Sequence, residues 1–261
     1  PRKSKIWCFA DPFRRPVTGI MGAVSLFTSP LNLLRVGLLR WHVMRTSDED
    51  IFSETGQTTH EFLISRGFST SFIDRFFSPL FGGIFLESSL RTDARMFKFV
   101  FKNMSRGDMV LPKQGISAVP QFLFDKLENT KLTLKADVKI INDNELIVDN
   151  KPKKYFRVIK AFSEVAGKIT RSVWTVHFSA PKSPLKQKFI MLNSNINTQN
   201  KLISHIAVPS DIQPSYAPVD KSLITATIVG EHADEKGITS EEEIARSAVE
   251  ELTEWFGEEV G

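Results

Sequence analysis

Apolar positions recur every three or four residues through the first hundred residues of the chain, which predicts helices there. A helix is predicted over residues 29–44, because Ser29 suits the N-cap and Pro30 suits the first helical position. Thr58 and Glu61 have the spacing of a capping box, in which each residue satisfies a backbone N–H of the other. They predict the start of a second helix.

Two further helices are predicted over residues 69–81 and 93–105. The first should break around Pro79 and the glycine pair that follows it, and the second should be capped by Thr92. The last helix carries an apolar stripe that we expect to face the interior of a helical bundle: Met96, Phe97, Val100, Phe101 and Met104.

The pattern of polar and apolar residues changes after residue 120, where the two kinds begin to alternate. A short helix over 119–129 is followed by predicted strands over 131–143, 145–150 and 155–162. Four more alternating segments predict one antiparallel sheet: 168–180, 189–195, 201–210 and 222–230. Ser240 and Glu243 form another capping box, which opens a final amphipathic helix over 241–255. The predicted fold class is therefore α+β, a helical part plus an antiparallel sheet.

Composition adds little to this pattern. The chain has 261 residues, of which 41% are hydrophobic and 25% are charged, as in an ordinary globular protein of one or two domains. The net charge is +4 without any long run of like charges, so we predict no nucleic-acid partner. A mildly basic face toward a membrane or an anionic ligand is compatible with this charge.

The single cysteine, Cys8, excludes an intramolecular disulfide and favours a reducing compartment. We expect a cytoplasmic, plastid or membrane-peripheral location. The longest apolar run, 17–39, is interrupted by Asn32 and Arg35 and is not a membrane span, and the start has no signal-peptide pattern. The first residue, Pro1, and the ending WFGEEVG are what the cut edges of a longer protein would look like.

The helix over 29–44 has two interpretations. It is a buried amphipathic helix, which we favour because such helices are common packing faces. Alternatively, Arg35, Arg40 and Arg45 beside leucines and a tryptophan make a membrane-surface helix within a peripheral module over 17–44.

Motifs for common catalytic sites are absent from the sequence. It contains no GxGxxG or GxxxxGK[ST] loop for phosphates, no HExxH and no GxSxG, and its five histidines are scattered. The residues alone predict no catalytic group and no metal site.

One long run changes this picture: FFSPLFGGIFLESSLRTDARMFKFVFKNMSRGDMVLPKQGISAVPQFLFDKL, residues 76–127. It resembles the middle of FAD-dependent oxidoreductases of the amine oxidase superfamily, with phytoene desaturase and protoporphyrinogen oxidase as the nearest branch. The resemblance extends upstream through WCFADPFRRP and RGFS, and downstream through VPSDIQPSYAP and ELTEWFG. It therefore covers most of the chain.

The resemblance implies three parts. Residues 1–107 would be the helical part of a substrate domain, 108–162 a partial segment of a discontinuous FAD domain, and 163–261 the antiparallel sheet and last helix of the substrate domain. The glycine-rich pyrophosphate loop and the C-terminal flavin segment of the family have no counterpart in the sequence. FAD is therefore expected in the complete protein, and this chain alone is expected to be inactive.

The resemblance also implies cofactor contacts. Pro112, Gly115 and Ile116 match the family's turn beside the flavin, and Val138 matches a strand valine whose backbone lies against the adenine. Gln114 stands where the family has the first glycine of this turn, which questions a close approach of the backbone there. Val138 would equally suit the core of a strand.

An apolar substrate pocket is the third implication. Phe77, Phe81, Phe85, Phe97 and Phe101 cluster at helical spacings, either as a core or partly as the lining of a cavity. Tyr216 would place a phenol at the mouth of the cavity or anchor a turn.

Two functions follow from these expectations. The first is the substrate-binding portion of an FAD-dependent oxidoreductase, in which an apolar substrate passes a hydride to flavin and no side chain of this chain is an essential acid or base. The second is a non-catalytic carrier of lipids or isoprenoids. Under either, an apolar small molecule is the expected partner, and uncovered apolar surface predicts a homodimer.

Overall fold

The computed structural model describes residues 29–162, 171–196 and 201–257. Cys8, the segment WCFADPFRRP and the first part of the 17–44 module lie outside these residues. The chain divides into two compact units, one formed by 1–115 together with 171–261 and the other by 116–170. The predicted boundaries at 107/108 and 162/163 thus lie eight residues before the boundaries of this compact unit.

The first unit begins with helices around a phenylalanine-rich core. The helices are α1 (Pro30–Arg45), α2 (Asp48–Ser53), α3 (Thr59–Ser65), α4 (Thr70–Phe72), a π-helical turn (Ile73–Phe77), α5 (Ser78–Phe85) and α6 (Ala94–Arg106). The predicted starts of α1 and α3 are confirmed. Ser29 Oγ accepts from the N–H of Leu31 at 3.3 Å, and the Thr58–Glu61 capping box has both of its hydrogen bonds.

The predicted helix break at Pro79 is wrong. The chain stays helical through Pro79, because the π-helical turn precedes it and the proline lies in the first turn of α5, where its missing N–H costs little. The glycine pair also serves another purpose. A Cβ on Gly82 would lie 2.8 Å from the carbonyl oxygen of Glu87, and one on Gly83 would lie 2.4 Å from Cε1 of His205. The two glycines permit close packing rather than a kink.

Helix α6 begins one residue later than predicted. Asp93 is its N-cap, accepting from the N–H of Arg95 at 2.8 Å, whereas Thr92 precedes the cap. The predicted apolar stripe is buried only in part, since Phe97 is inaccessible but Met96 is 43% exposed. The helix instead buries two lysines beside Phe97. Lys98 pairs with Glu54, and the ammonium of Lys102 donates to Asp48 at 2.5 Å.

The rest of the first unit is a sheet covered by a helix. Its elements are β4 (Val173–Ala180), β5 (Met191–Leu192), β6 (His205–Ala207), α8 (Pro209–Ile212), a 3₁₀ turn (Pro214–Tyr216), β7 (Ser222–Val229), α9 (Gly230–Glu235) and α10 (Glu241–Phe256). The strands are antiparallel, as the alternating pattern predicted, and their order in the sheet is β4-β7-β6-β5. One face of the sheet forms an apolar core with Ile244, Ala248 and Leu252 of α10.

The second unit contains α7 (Ala118–Phe124) and a sheet of three antiparallel strands, β1 (Val138–Asn142), β2 (Glu145–Val148) and β3 (Lys151–Lys154). The strand predicted over 155–162 is wrong. The chain returns earlier, because Asp149 and Asn150 both take left-handed backbone angles (φ 50° and 63°), as a two-residue type I′ hairpin requires. The long strand predicted over 131–143 is shortened to β1.

Candidate functional site

The segment between α6 and the second unit, residues 107–115, is held in place by the connection between β6 and β7. Tyr216 Oη donates to the carbonyl oxygen of Pro112 at 2.9 Å, and Ser215 Oγ donates to that of Lys113 at 2.7 Å. Tyr216, for which a pocket-mouth role and a turn-anchoring role were both open, thus anchors this segment. The two hydrogen bonds fix the backbone of the turn.

The turn itself depends on Gly115. Its N–H donates to the carbonyl oxygen of Pro112 at 3.0 Å, and its φ of +86° lies in the region that side chains disfavour. No atom lies within 4 Å of where a Cβ would be, so this face of the backbone is open. Met109 and Val110, earlier in the segment, are 66% and 78% exposed. An anchored backbone therefore presents apolar side chains and an open glycine.

The predicted cofactor contacts in the second unit are accessible. Ile116 is 77% exposed, and Val138 is 47% exposed on β1, an edge strand paired only with β2. None of the described residues of this unit is fully buried. Many of its large apolar side chains are exposed: Val119, Phe122, Leu123, Leu127, Leu132, Leu134, Ile140, Ile141, Phe156, Ile159 and Phe162. Contact of Ile116 and Val138 with a cofactor stays a prediction.

The phenylalanines predicted for the substrate pocket pack mainly against one another. Phe77, Phe81 and Phe97 have no exposed area, and the ring centroids of Phe81 and Phe97 are 4.7 Å apart. Phe85 retains 8% exposure, and Phe101 is half-buried at the edge of the same cluster. Most of this set therefore forms the core of the helical part, and only the last two rings have an accessible edge.

The second face of the four-stranded sheet carries polar side chains. Thr175 and His177 of β4 are exposed and lie opposite Thr227 and Thr225 of β7. His177 Nδ1 is 3.1 Å from the hydroxyl of Thr225. The alternation along β4 and β7 was visible in the sequence, but nothing there indicated that α5 would leave this part of the face open.

Helix α5 covers this face where β6 contributes to it. His205 of β6 lies under Gly83, and its Nδ1 is 3.3 Å from the carbonyl oxygen of Pro79. Burial lowers the pKa of His205, and the nearby carbonyl opposes this effect only in part. The imidazole is therefore neutral at neutral pH, and in the tautomer that carries the proton on Nδ1 it donates to Pro79.

An ion pair joins the helical part to the start of β4. The carboxylate of Glu87 is fully buried, and its Oε2 lies 2.9 Å from Nη2 of Arg171. The same guanidinium donates to the hydroxyl of Thr92 at 2.7 Å. Among the described residues, no group of three or more His, Cys, Asp or Glu side chains is arranged to hold a metal ion. No helix in the described ranges is long and apolar enough to cross a membrane.

Comparison with known proteins gives a matching family and several similar folds. Residues 33–161 match the family described as flavin containing amine oxidoreductase. No curated protein matches the sequence. Several solved structures share the fold, as follows.

An oxidoreductase from Methanosarcina mazei aligns with a TM-score of 0.64 at 15% identity, covering 89% of this chain and 59% of that protein. Wild-type putrescine oxidase bound to putrescine aligns with a TM-score of 0.65 at 14% identity, covering 90% and 60%. A protein from Pyrococcus furiosus aligns with a TM-score of 0.58 at 14% identity, covering 84% and 60%. The chain thus spans about 60% of the length of these proteins, and at such identities the likeness concerns the fold.

Proposed function

From the membership of residues 33–161 in the flavin containing amine oxidoreductase family, we propose that this chain is the substrate-binding portion of an FAD-dependent oxidoreductase. In the complete enzyme an apolar substrate would pass a hydride to the flavin. The observation that carries the proposal is the anchored segment 107–115, whose open glycine and exposed apolar side chains need a covering group. We further propose that the enzyme belongs to the phytoene desaturase and protoporphyrinogen oxidase branch, on the sequence run quoted above.

The residues present fit part of an FAD site. Gly115 offers open backbone, Ile116 and Val138 are accessible, and Tyr216 holds the carbonyl of Pro112 so that the turn is fixed before a cofactor arrives. The sequence has no GxGxxG loop, so the pyrophosphate would be held by residues outside this chain. Bound FAD would supply the two-electron acceptor. The chain's own residues would position the substrate and exclude water.

The proposal of an apolar substrate is supported by the phenylalanine cluster, but only by the rings at its accessible edge. Fully buried rings such as Phe77 and Phe97 cannot touch a ligand without rearrangement of the core. Phe85 and Phe101 have accessible edges, and these two rings are the ones we propose for substrate contact.

The test uses the longest polypeptide encoded around this sequence, purified beside the 261-residue chain. We expect flavin absorbance bands from the longer protein and none from the shorter one. The upstream gene sequence should also encode a GxGxxG strand–turn–helix unit. A longer protein without flavin, and without that unit, would reject the proposal. If it also co-purified with an apolar molecule, the alternative function, a non-catalytic lipid or isoprenoid carrier, would be favoured.

We also propose that helix α1 contacts an anionic membrane surface. The helix packs inward through Leu39 and Val43, but its opposite face exposes an apolar stripe. The stripe consists of Leu31, Leu34, Leu38 and Trp41, each more than half exposed. Such a stripe beside cationic residues suits a lipid interface.

Charge on α1 supports the same surface, since the helix contains no Asp or Glu. The Arg45 guanidinium lies 4.6 Å from the centre of the Trp41 ring. The other two arginines are used within the protein, Arg35 on Asn32 and Arg40 on the carbonyl of Ser105. Arg45 is thus the cation placed to meet a lipid phosphate.

Vesicle flotation tests this contact. The Leu34→Glu/Leu38→Glu double variant should lose binding to phosphatidylserine vesicles, whereas Leu127→Glu, an exposed apolar site in the second unit, should leave binding unchanged. Equal flotation of all three proteins would exclude the contact. A dimer by light scattering, abolished by the double variant, would instead assign the stripe to a homodimer.

A further inference from the structure

A cleft in the first unit is lined by none of the residues proposed for cofactor or substrate. Its volume is about 350 Å³, and its walls are His60, Ile73, Asp74, Leu90 and three serines. These residues come from the start of α3, the π-helical turn, the start of α5 and the loop between α5 and α6. The volume falls at the lower end of the range for small-molecule sites.

The backbone around the cleft is unusual at two places. Ile73 and Asp74 belong to the five-residue π-helical turn, a feature that often occurs at functional sites. Leu86 and Leu90, at the start and in the middle of the adjoining loop, have left-handed φ angles of 58° and 52°. Leucine adopts this conformation only when the surrounding structure compels it, since it costs energy.

Hydrogen bonds hold this loop in place. The N–H and the hydroxyl of Ser88 both donate to Glu231 Oε2, at 2.7 and 2.6 Å, and Ser78 Oγ donates to the carbonyl oxygen of Ser88 at 2.6 Å. The N–H of His60 donates to the carbonyl oxygen of Leu90 at 3.1 Å. The walls of the cleft are therefore fixed before any ligand binds, which reduces the entropy cost of binding.

The polar side chains of the cleft differ in whether they already make hydrogen bonds within the protein. The hydroxyls of Ser78 and Ser88 are used within the protein. The carboxylate of Asp74 and the imidazole of His60 are half-buried, and neither makes a side-chain hydrogen bond or ion pair with another described residue. No Lys or Arg lines the cleft. Asp74 therefore offers a carboxylate that a cationic ligand could pair with in this cleft.

We propose that this cleft binds a small organic cation, an ammonium group on a short apolar stem. The ammonium donates to the carboxylate of Asp74 and to a ring nitrogen of His60, and the stem lies against Ile73 and Leu90. Ser89, which is exposed, stands at the opening. The proposal does not depend on FAD, because none of the residues that line the cleft is among those proposed for cofactor contact.

The test is a titration of the isotope-labelled 261-residue chain with n-butylammonium chloride, followed by amide shifts in two-dimensional NMR spectra. Saturable shifts are expected at the amides of Ser89 and Leu90. The Asp74→Asn variant should bind about tenfold more weakly, a loss of about 1.4 kcal/mol, because the amide carries no charge to pair with the ammonium. Asp143→Asn, at an exposed turn of the second unit, is the matched control and should bind like the wild type.

n-Butanol serves as the uncharged comparator, since it has the same stem without the ammonium. Butanol binding as strong as that of butylammonium would overturn the proposal, because the carboxylate would then play no part. The absence of saturable shifts would overturn it too, as would an Asp74→Asn variant that keeps wild-type affinity and a dispersed, folded spectrum. None of these outcomes bears on flavin binding by the longer polypeptide.

Discussion

Glu251 is the buried carboxylate whose removal should destabilise the sheet core most directly. It lies on α10 with 7% exposure, and its two oxygens accept from the N–H groups of Leu202 and Ile203 at 2.6 and 3.2 Å. Both of those residues are fully buried. Glu251→Ala leaves two buried N–H groups without an acceptor, at about 1–3 kcal/mol each, so we expect a loss of about 2–6 kcal/mol in the free energy of unfolding. Glu251→Gln retains one acceptor and should lose about half as much.

The same residue gives a pH dependence with a definite sign. Burial raises the pKa of Glu251 above the value of 4.5 expected when unfolded, and the two backbone hydrogen bonds oppose this only in part. The folded state then binds the proton more tightly than the unfolded state does. The stabilisation that this proton gives is therefore fully present below pH 4.5, and it is lost as the pH rises through the raised pKa of the folded state. The stability of the wild type relative to Glu251→Gln should therefore fall over that interval.

Urea unfolding measures both effects, followed by tryptophan fluorescence, since Trp174 and Trp255 pack against this core. Glu250→Ala, an exposed site on the same helix, is the control. The reasoning is refuted if Glu251→Ala stays within about 0.5 kcal/mol of that control, which is the usual range of surface substitutions. A difference between wild type and Glu251→Gln that does not change with pH would refute the linkage argument alone.

Four further substitutions have expected outcomes. Gly83→Ala places a methyl 2.4 Å from His205 and should lower the free energy of unfolding by about 1–3 kcal/mol. Gly37→Ala, with no atom within 4 Å of the new methyl, should raise it by about 0.5–1 kcal/mol. Thermal unfolding compares the two variants, and equal shifts of the unfolding temperature would contradict the packing role of Gly83. Ser240→Ala removes the N-cap hydrogen bond to the N–H of Glu243 and should cost about 1 kcal/mol in urea unfolding, a value that an unchanged midpoint would disprove. Tyr216→Phe loses the bond to Pro112 and should speed amide hydrogen exchange at Gly115 while leaving α10 unaffected; unchanged exchange at Gly115 would show that the tyrosine does not anchor the turn.

Local chemistry made much of the fold predictable. Ser29, the Thr58–Glu61 box and Ser240 mark helix starts, because an N-cap side chain satisfies N–H groups of its own first turn. The four-stranded sheet was predictable for a similar reason, since alternation separates its apolar face from its polar one. These signals lie within a few residues of one another.

The failed predictions on the helices concern features that an apolar pattern does not show. Pro79 does not end a helix, because a π-helical turn precedes it and the proline lies in the first turn of α5. The burial of Lys98 and Lys102 on α6 needs acidic partners supplied by the segment around α2. An apolar stripe could not indicate either lysine.

The candidate site was predictable only as far as its residues resemble a family. The turn at Pro112 and Gly115 was identified from such a match, and the structure adds the tyrosine that holds it. The cleft at Asp74 and His60 had no sequence signal, because its residues come from four separate elements. The hairpin at Asp149–Asn150 did have one, since both residue types tolerate left-handed angles, and recognising it would have shortened the predicted strands.

The described residues of the second unit, 116–162, form no buried core. Ordering a residue costs about 1–2 kcal/mol of backbone entropy, which folded domains offset mainly by burying apolar side chains. None of the described residues of this unit is buried, although large side chains such as Phe122, Leu134 and Phe156 are present. Its three strands are joined by tight turns, but a small sheet without a covered apolar face is marginal in water. The described part of this unit therefore needs contacts beyond its own residues to be stable in water.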